Sequence, residues 1–225
     1  MIVAIQETKK TDRIYRLDRN LDHLIDNSEV DGWLRESALP NAPDESAFWR
    51  IKEDLNLPNP VIFDVIGDIF EIIDYPSLDI DWPIMSKRML DTLLSVGDFR
   101  HKTYPLLMVD CEQVYNEELG RDTNSGIVYE NFFAVHVLED LDIFDWENSI
   151  YERDPEAPHI LESIEKLILK EPPGGFPPLF RVITSHLKAR LYVSAEARTA
   201  LETEGIRGID FIQTENNLTL VNALP

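Results

Sequence analysis

Two segments of this chain have hydrophobic residues at helical spacing, and most other apolar runs have the length and composition of strands. The segments KRMLDTLLSVG and AEARTALETEG each follow a serine, Ser86 and Ser194, and each ends in a glycine eleven residues after that serine, Gly97 and Gly205. A serine hydroxyl accepts from an unpaired N–H of the first turn, and glycine adopts the left-handed conformation that often ends a helix. The pattern predicts two helices. We interpret their similarity as a common packing unit or a coincidence rather than a repeat.

Short runs rich in β-branched and aromatic residues predict strands. The run VIFDVIGDIFEIIDYP predicts two strands around a turn or one strand with a bulge, and NAPDESAFWRIKEDLNLPNP predicts a loop containing a strand or a short strand pair. Strands and helices mix without a regular βαβ order. The predicted fold class is therefore α+β, with a mixed, mainly antiparallel sheet and a few short helices. The clearest strand candidates are RIYRLD, WPIMS, TYPLLMV, IVYENFFAVHVL, LFRVI, RLYVS and IRGIDFIQTE.

The composition indicates a folded and strongly acidic protein. The chain has 225 residues, of which 44% are hydrophobic, which suffices for one large domain or two small ones. Its formal net charge is −21. This charge argues against nucleic acid and anionic membranes as partners, because binding phosphate requires clustered lysine and arginine. It favours solubility and permits a basic protein partner.

No segment has the pattern of a secretion signal or a membrane span. The apolar start of the chain, MIVAI, is too short for a signal peptide, and no run approaches the length of a transmembrane helix. We therefore expect a cytoplasmic protein with no membrane partner. A homo-oligomer is possible, but no pattern implies one.

Two long windows contain acids and neither lysine nor arginine. One runs from Glu53 to Ser86 with eight acids, and the other lies between Arg121 and Arg153. The second window includes FFAVHVLEDLDIFDWENSIYE, a hydrophobic strand followed by six carboxylates. Such acids can hold a metal, perform acid–base chemistry, meet a basic partner or simply be solvated. An EF-hand loop starting at Asp140 fails at its fifth, sixth and twelfth positions, so we predict no metal there.

None of the motifs of enzyme chemistry that we tested is complete. The histidines form neither HxH nor HExxH, no GxSxG or phosphate-binding loop is present, and the SxxK matches SIEK and SHLK lack their companion motifs. The single cysteine, Cys111, excludes an internal disulfide and a cysteine-based zinc site. His136, in an apolar strand, is more typical of a hydrogen-bonded core residue than of a catalyst. We predict no enzyme, no cofactor and no metal, although 42 acids leave paired-carboxylate hydrolysis open.

Three groups of residues in the second part of the chain form a pattern in a fixed order: Pro83, Ser86, Lys87 and Arg88; Leu141, Asp142, Asp145 and Ser149; and Leu179, Phe180, Arg181, Val193, Ser194, Ala200, Leu201, Gly205, Gly208 and Phe211. With these residues, 80 to 215 resembles a family of bacterial immunity proteins that accompany polymorphic toxins and secreted effectors, the immunity family numbered eleven, formerly a domain of unknown function. His136 stands about where an asparagine is expected in that family.

The resemblance implies a protein that binds and neutralises a cognate toxin, with 1–79 as a variable N-terminal part packed on an immunity-type domain, 80–225. The predicted partner is a protein toxin. If the toxin is basic, an acidic inhibitor would meet it quickly through electrostatic steering. Asp142 and Asp145 are predicted to turn the chain. The rival functions are a carboxylate-dependent hydrolase and an acidic adaptor or regulator. The candidate contact residues for the toxin are Glu139, Asp140, Glu147, Glu152, Asp64, Asp68, Glu71 and Asp74.

Overall fold

The computed structural model describes the backbone of most of the chain and its regular elements. The described residues are 14–20, 33–34, 47–66, 68–76, 82–111, 113–116, 121–124, 126–157, 160–184 and 187–214. The helices are α1 (Ala47–Arg50), α2 (Lys87–Val96) and α3 (Ala195–Thr203), with a 3-10 helix at Asp68–Glu71. The strands are β1 (Ile14–Arg19), β2 (Trp33–Leu34), β3 (Val61–Ile66), β4 (Ile84–Ser86), β5 (His101–Asp110), β6 (Gln113–Asn116), β7 (Arg121–Asn124), β8 (Val128–Val137), β9 (Asp140–Leu141), β10 (Ile150–Arg153), β11 (Leu161–Lys166), β12 (Leu179–Val182), β13 (Leu191–Ser194) and β14 (Ile209–Gln213).

Two five-stranded sheets form the framework. The first sheet has the order β14-β1-β13-β12-β9, antiparallel throughout except for the parallel pair β12–β9. The second sheet has the order β2-β3-β5-β8-β4, antiparallel except for the parallel pair β3–β5. The strands β10 and β11 form a separate antiparallel pair, as do β6 and β7. The predicted α+β class, with mixed and mainly antiparallel sheets, is confirmed.

Both predicted helices are present, and a serine begins each of them. The hydroxyl of Ser86 accepts from the amide of Met89, and that of Ser194 accepts from the amide of Ala197. Gly205 has a φ of 63° after α3, as expected for a left-handed residue. The same expectation is wrong for Gly97, whose φ of 168° is extended. The sequence therefore predicts both serine caps correctly. It predicts the left-handed glycine correctly after α3 but not after α2.

One apolar core joins α2 and α3 to both sheets. The two helices contact each other, and each buries one stripe of residues in this core. Burying one large apolar side chain contributes about 1.5–3 kcal/mol to folding, so a shared core holds the four elements together. Its members include Met89 and Leu93 from α2, Ala197 and Leu201 from α3, Tyr15 and Val193 from the first sheet, and Met85 and Val135 from the second.

Three local predictions differ from the structure. The segment before Pro58 forms α1 rather than a strand, although residues 41–46 lie outside the described residues. The VIFDVIGDIFEIIDYP run has one strand, β3, followed by a 3-10 helix, and Phe70 in that helix and Ile73 after it both pack in the core. The polar stretch between β5 and β8 contains the pair β6–β7, which its composition does not indicate.

The predicted N-terminal part, 1–79, contributes strands to the interior of both sheets. β1 lies between β13 and β14, and β3 lies between β2 and β5. Each sheet therefore contains strands from both sides of the predicted boundary at residue 79. Residues 1–13 and 77–81 lie outside the described residues.

Gly208 lies where two segments approach closely. Its φ is +87°, and a Cβ at this position would lie 2.7 Å from Cγ1 of Ile73 and 2.8 Å from the carbonyl oxygen of Tyr75. Both the backbone conformation and the available space therefore require glycine.

Replacing Gly208 with alanine should destabilise the protein by about 2–4 kcal/mol, because it adds backbone strain and a steric clash. The measurement is the urea midpoint of unfolding. Gly174→Ala is the matched control, since Gly174 also has a positive φ but nothing lies within 4 Å of a Cβ there. Equal losses in the two variants would show that the close approach at Gly208 has no energetic consequence.

Candidate functional site

The carboxylate of Asp74 is the centre of a hydrogen-bonded cluster between the ends of α2 and α3. Its Oδ1 accepts from the Ser86 hydroxyl at 2.5 Å and from Nε of Arg88 at 3.2 Å. Its Oδ2 accepts from a terminal nitrogen of Arg88 and from the backbone N–H of Arg207 at 2.9 Å. Asp74 is only 4% exposed, and a carboxylate at that depth is costly unless it is fully hydrogen-bonded. We call these four groups the Asp74 cluster.

Arg88 and Ser86 connect the cluster to both helices. The guanidinium of Arg88 donates to the carbonyls of Glu204 and Gly205, each at 3.3 Å, and its hydrogen bond to Asp74 raises the pKa of Arg88. The hydroxyl of Ser86 donates to Asp74 and accepts from the Met89 amide. Because both functions of this hydroxyl are used, Ser86 is arranged as a structural residue rather than as a nucleophile.

An open groove of about 860 Å³ runs beside the Asp74 cluster. It lies between the 3-10 helix with its following loop, the outer side of α2 and the first half of β8, and its size is within the range of ligand sites. Neither histidine nor cysteine is among its lining residues, which are Phe70, Glu71, Ile73, Asp74, Ser86, Lys87, Arg88, Asp91, Thr92, Ser95, Val128, Tyr129, Glu130, Asn131, Phe132 and Glu204.

The charge of the groove is negative, and its two basic residues are already paired. Arg88 bonds to Asp74, and Lys87 forms a 2.5 Å ion pair with Asp91 on the surface of α2. Three exposed carboxylates of the groove form no salt bridge within the described part of the chain: Glu71, Glu130 and Glu204. A ligand of this groove would therefore need positive charge.

A second surface combines exposed apolar side chains with acids. Trp146 is 40% exposed and Ile150 is 51% exposed, and Glu147 and Glu152 are exposed beside them in sequence. The Trp146 ring packs 4.4 Å from the ring of Phe144, between centroids. We call Trp146, Glu147, Ile150 and Glu152 the acidic aromatic surface.

Neighbouring side chains hold this surface in place. The guanidinium of Arg153 lies 4.8 Å from the centre of the Trp146 ring, and the hydroxyl of Ser163 donates to Glu152 at 3.2 Å. Lys166 on β11 lies opposite Ile150 on β10. The tryptophan is therefore fixed on one side and available to a partner on the other, with both signs of charge nearby.

Asp145 turns the chain ahead of the acidic aromatic surface, as predicted. Its carboxylate accepts from the amides of Glu147 at 3.1 Å and Asn148 at 3.3 Å, and from the side-chain nitrogen of Asn148 at 2.7 Å. The side-chain hydrogen bond from Asn148 is the main reason that the pKa of Asp145 is lowered. The neighbouring Asp142 is exposed.

Asp140 and Arg181 belong to the interior of the protein. Asp140 forms ion pairs with Lys52 at 2.6 Å and Lys188 at 3.9 Å. Arg181, on the adjacent strand, donates to the backbone carbonyls of residues 188, 189 and 190. Burial lowers the pKa of Arg181 to about 10. Nε of Arg181 and Oδ1 of Asp140 have no hydrogen-bond partner within the described residues.

His136 is a buried, hydrogen-bonded residue, as predicted. Its Nε2 lies 2.8 Å from the carbonyl oxygen of Ile51, which fixes the proton on that nitrogen. Burial lowers the pKa of His136 against the effect of the Ile51 hydrogen bond, and the nearby Lys52 and Arg181 lower it further. The residue thus joins the segment after α1 to β8.

The predicted contact residues fall into three groups. Glu147 and Glu152 lie on the acidic aromatic surface, and Glu71 lines the groove. The charges of Asp74 and Asp140 are committed to internal partners, so these two carboxylates are not the unpaired surface acids that the sequence indicated. The remaining three are Glu139, which accepts from the amide of Arg100 at 3.0 Å, Asp64, which is half-buried on β3, and Asp68, whose side chain lies outside the described residues.

Four residues of these surfaces were not singled out from the sequence. Trp146 and Ile150 are large apolar residues within an acidic and polar stretch of the sequence. This contrast with their neighbours could have identified them as candidate contact residues. Glu130 and Glu204 lie in separate segments, and no local pattern connects them to the groove.

Comparisons with known proteins do not assign this chain to a family. No family model matches it, and a search of curated proteins finds no significantly similar sequence. The resemblance to immunity proteins therefore stays a prediction. Among the described residues, no helix has the length and apolar character needed to cross a membrane, and no group of three or more histidine, cysteine or acidic residues is arranged to hold a metal ion.

Replacing Asp74 with asparagine should cost about 2–4 kcal/mol of folding free energy, because buried donors lose their charged acceptor. Urea unfolding measures this loss. Asp91→Asn is the matched control, since it breaks only an exposed ion pair, which is worth about 0.5 kcal/mol. A similar small loss in both variants would contradict a stabilising role for the Asp74 cluster.

His136 should make the protein less stable as the pH falls from about 7.5 to about 5.5. Its pKa is lower in the folded protein than in the unfolded chain, so the unfolded state takes up more protons as the pH falls through about 6.5. In His136→Gln, which keeps a donor for the Ile51 carbonyl, the urea midpoint should change less over this range. If the pH dependence of stability is the same in this variant as in the original protein, His136 does not cause it.

Proposed function

We propose that this chain is an immunity-type protein that binds a cognate secreted toxin in the cytoplasm and neutralises it, and that the acidic aromatic surface contacts the toxin. The observation that carries this proposal is the exposure of Trp146 and Ile150, at 40% and 51%, beside two exposed carboxylates. Large apolar side chains at a surface cost solubility unless a partner covers them. The exposed carboxylates of Glu147 and Glu152 favour a partner that brings basic residues to this contact.

The physical character of this surface suits a tight protein contact. Tryptophan is among the residues that contribute most to binding energy at protein interfaces, particularly when it is surrounded by polar residues that exclude water. The packing of Trp146 against Phe144 and Arg153 restricts its rotation before binding. A pre-ordered aromatic side chain loses little conformational entropy on association, so more of its burial appears as affinity.

The net charge of −21 supports the same kind of partner. A toxin that acts on nucleic acid or nucleotides needs a positive surface to bind phosphate. An acidic protein approaches such a surface under long-range attraction, which speeds association and makes it depend on salt. Nucleic acid itself is disfavoured as a partner for the same reason.

The experiment that tests the proposal starts from the tagged full-length chain in its own host. Proteins that co-purify with it are identified by mass spectrometry, and each is expressed alone and together with this chain. A stoichiometric partner that stops growth alone, and not in co-expression, supports the proposal. If the products of the neighbouring genes are expressed and none of them binds or is neutralised, the proposal is wrong.

The double variant Trp146→Ala, Ile150→Ala should bind the neutralised partner at least about tenfold more weakly, because it removes the apolar centre of the contact. The measurement is the dissociation constant at physiological salt, together with growth protection. Ile62→Ala is the matched control, since Ile62 is 49% exposed on β3 of the second sheet. Equal affinity of the double variant and the control would show that Trp146 and Ile150 do not form the centre of the toxin contact.

A further inference from the structure

The groove beside α2 contains an incomplete edge of the second sheet. β4 is the neighbour of β8 on this side, and its three residues pair only with Phe132, Phe133 and Ala134. β8 itself begins four residues earlier, at Val128. β4 ends before Glu130 and Asn131, and the register of β8 with β5 shifts between Phe132 and Tyr129, so no described strand is in register with these two residues. Glu130 and Asn131 line the groove and are therefore the part of β8 where a further strand could pair.

The side chains around this edge provide apolar contact. Val128 is 44% exposed at the start of β8, and Ile127, just before it, is 41% exposed. Phe70 and Tyr129 also line the groove, with ring centroids 5.7 Å apart. An added strand would therefore find backbone partners on one side and an apolar surface beneath alternate side chains.

The charge of the groove determines which strand fits. Glu71, Glu130 and Glu204 are exposed and form no salt bridge within the described residues, whereas Lys87 and Arg88 are each paired with an aspartate. An acidic segment would be repelled, and a neutral one would gain no attraction from the three carboxylates. Lysine or arginine on the segment's exposed face would meet them.

We propose that the groove binds an extended segment of a partner protein, with alternating basic and apolar residues, as an additional strand paired with β8 alongside the end of β4. Backbone hydrogen bonds at Glu130 and Asn131 supply the register, and the three glutamates select for positive charge. This site is separate from the acidic aromatic surface and does not depend on the toxin-neutralising function proposed above.

The first test uses a fluorescent peptide of about ten residues, a typical strand length, in which lysine and valine alternate. Its binding to the full-length chain is measured by fluorescence anisotropy at low salt. A peptide with glutamate in place of lysine is the charge control and should not bind. Hydrogen exchange at the amides of Glu130 and Asn131 should slow when the lysine peptide is present.

Two N-methylated forms of the peptide distinguish strand pairing from simple charge attraction. N-methyl groups on one set of alternate residues block the edge that faces β8, and those on the other set face away from β8. We expect one form to lose binding at least about tenfold and the other to keep it. Equal binding of both forms would overturn the proposal, because attraction between charges does not depend on the peptide edge.

The variant Glu71→Gln, Glu130→Gln, Glu204→Gln should weaken the lysine peptide by roughly tenfold, since three exposed charge pairs are lost. The matched control is Glu162→Gln, Glu165→Gln, which removes two exposed acids from β11. Equal weakening by both variants would also overturn the proposal. Dimers of the chain that dissociate when the peptide is added would assign the edge to a second copy, which again contradicts a foreign strand.

These outcomes are distinct from a failure of toxin neutralisation. If the groove variant loses peptide binding but keeps full growth protection, the result supports strand binding in the groove. It also shows that the groove is not the toxin contact. Growth protection lost in Trp146→Ala, Ile150→Ala, with peptide binding intact, would support both sites independently.

Discussion

The burial of one carboxylate, Asp74, is the constraint on which the arrangement of the two helices depends. A carboxylate at this depth is stable only with several donors, and the protein supplies them from two separate places in the chain. Ser86 comes from the start of α2, Arg88 from its first turn, and the Arg207 amide from the segment after α3. All of these hydrogen bonds form only when the start of α2 and the segment after α3 both lie next to Asp74. The cluster therefore holds the two helices in their relative position.

Some cations of this acidic protein stabilise groups inside the fold, and others form ion pairs on its surface. Arg88 forms an ion pair with Asp74, and Lys52 forms one with Asp140. Arg181 is buried and donates to backbone carbonyls. Because 42 acids face only 21 basic residues, many carboxylates have no basic counterpart. Among the described residues these include Glu71, Glu130 and Glu204 of the groove, which form no salt bridge. The groove is therefore a negative surface, whereas the acidic aromatic surface has Arg153 and Lys166 beside its two acids.

Local features of the fold were predictable, and features that depend on distant residues were not. The serine caps of α2 and α3 act within three residues, so the sequence shows them directly. Asp74 looks like any other acid in its window, since its donors lie 12 to 133 residues away. The register that leaves β8 uncovered at Glu130 depends on the shortness of β4, which no periodicity reveals. Strand existence is a local property, whereas strand pairing is not.

The two surfaces make different demands on a partner, and this difference bears on specificity. The acidic aromatic surface offers side chains, so a partner must present a complementary pocket for Trp146 and Ile150. The groove offers backbone groups and three carboxylates, so it accepts any extended segment with suitable charge and alternation. Recognition by backbone alone discriminates poorly among sequences, whereas a pocket for a tryptophan rejects most surfaces. The proposed toxin contact would therefore be the more selective of the two sites, and the proposed strand site would tolerate variation in the segment that it binds.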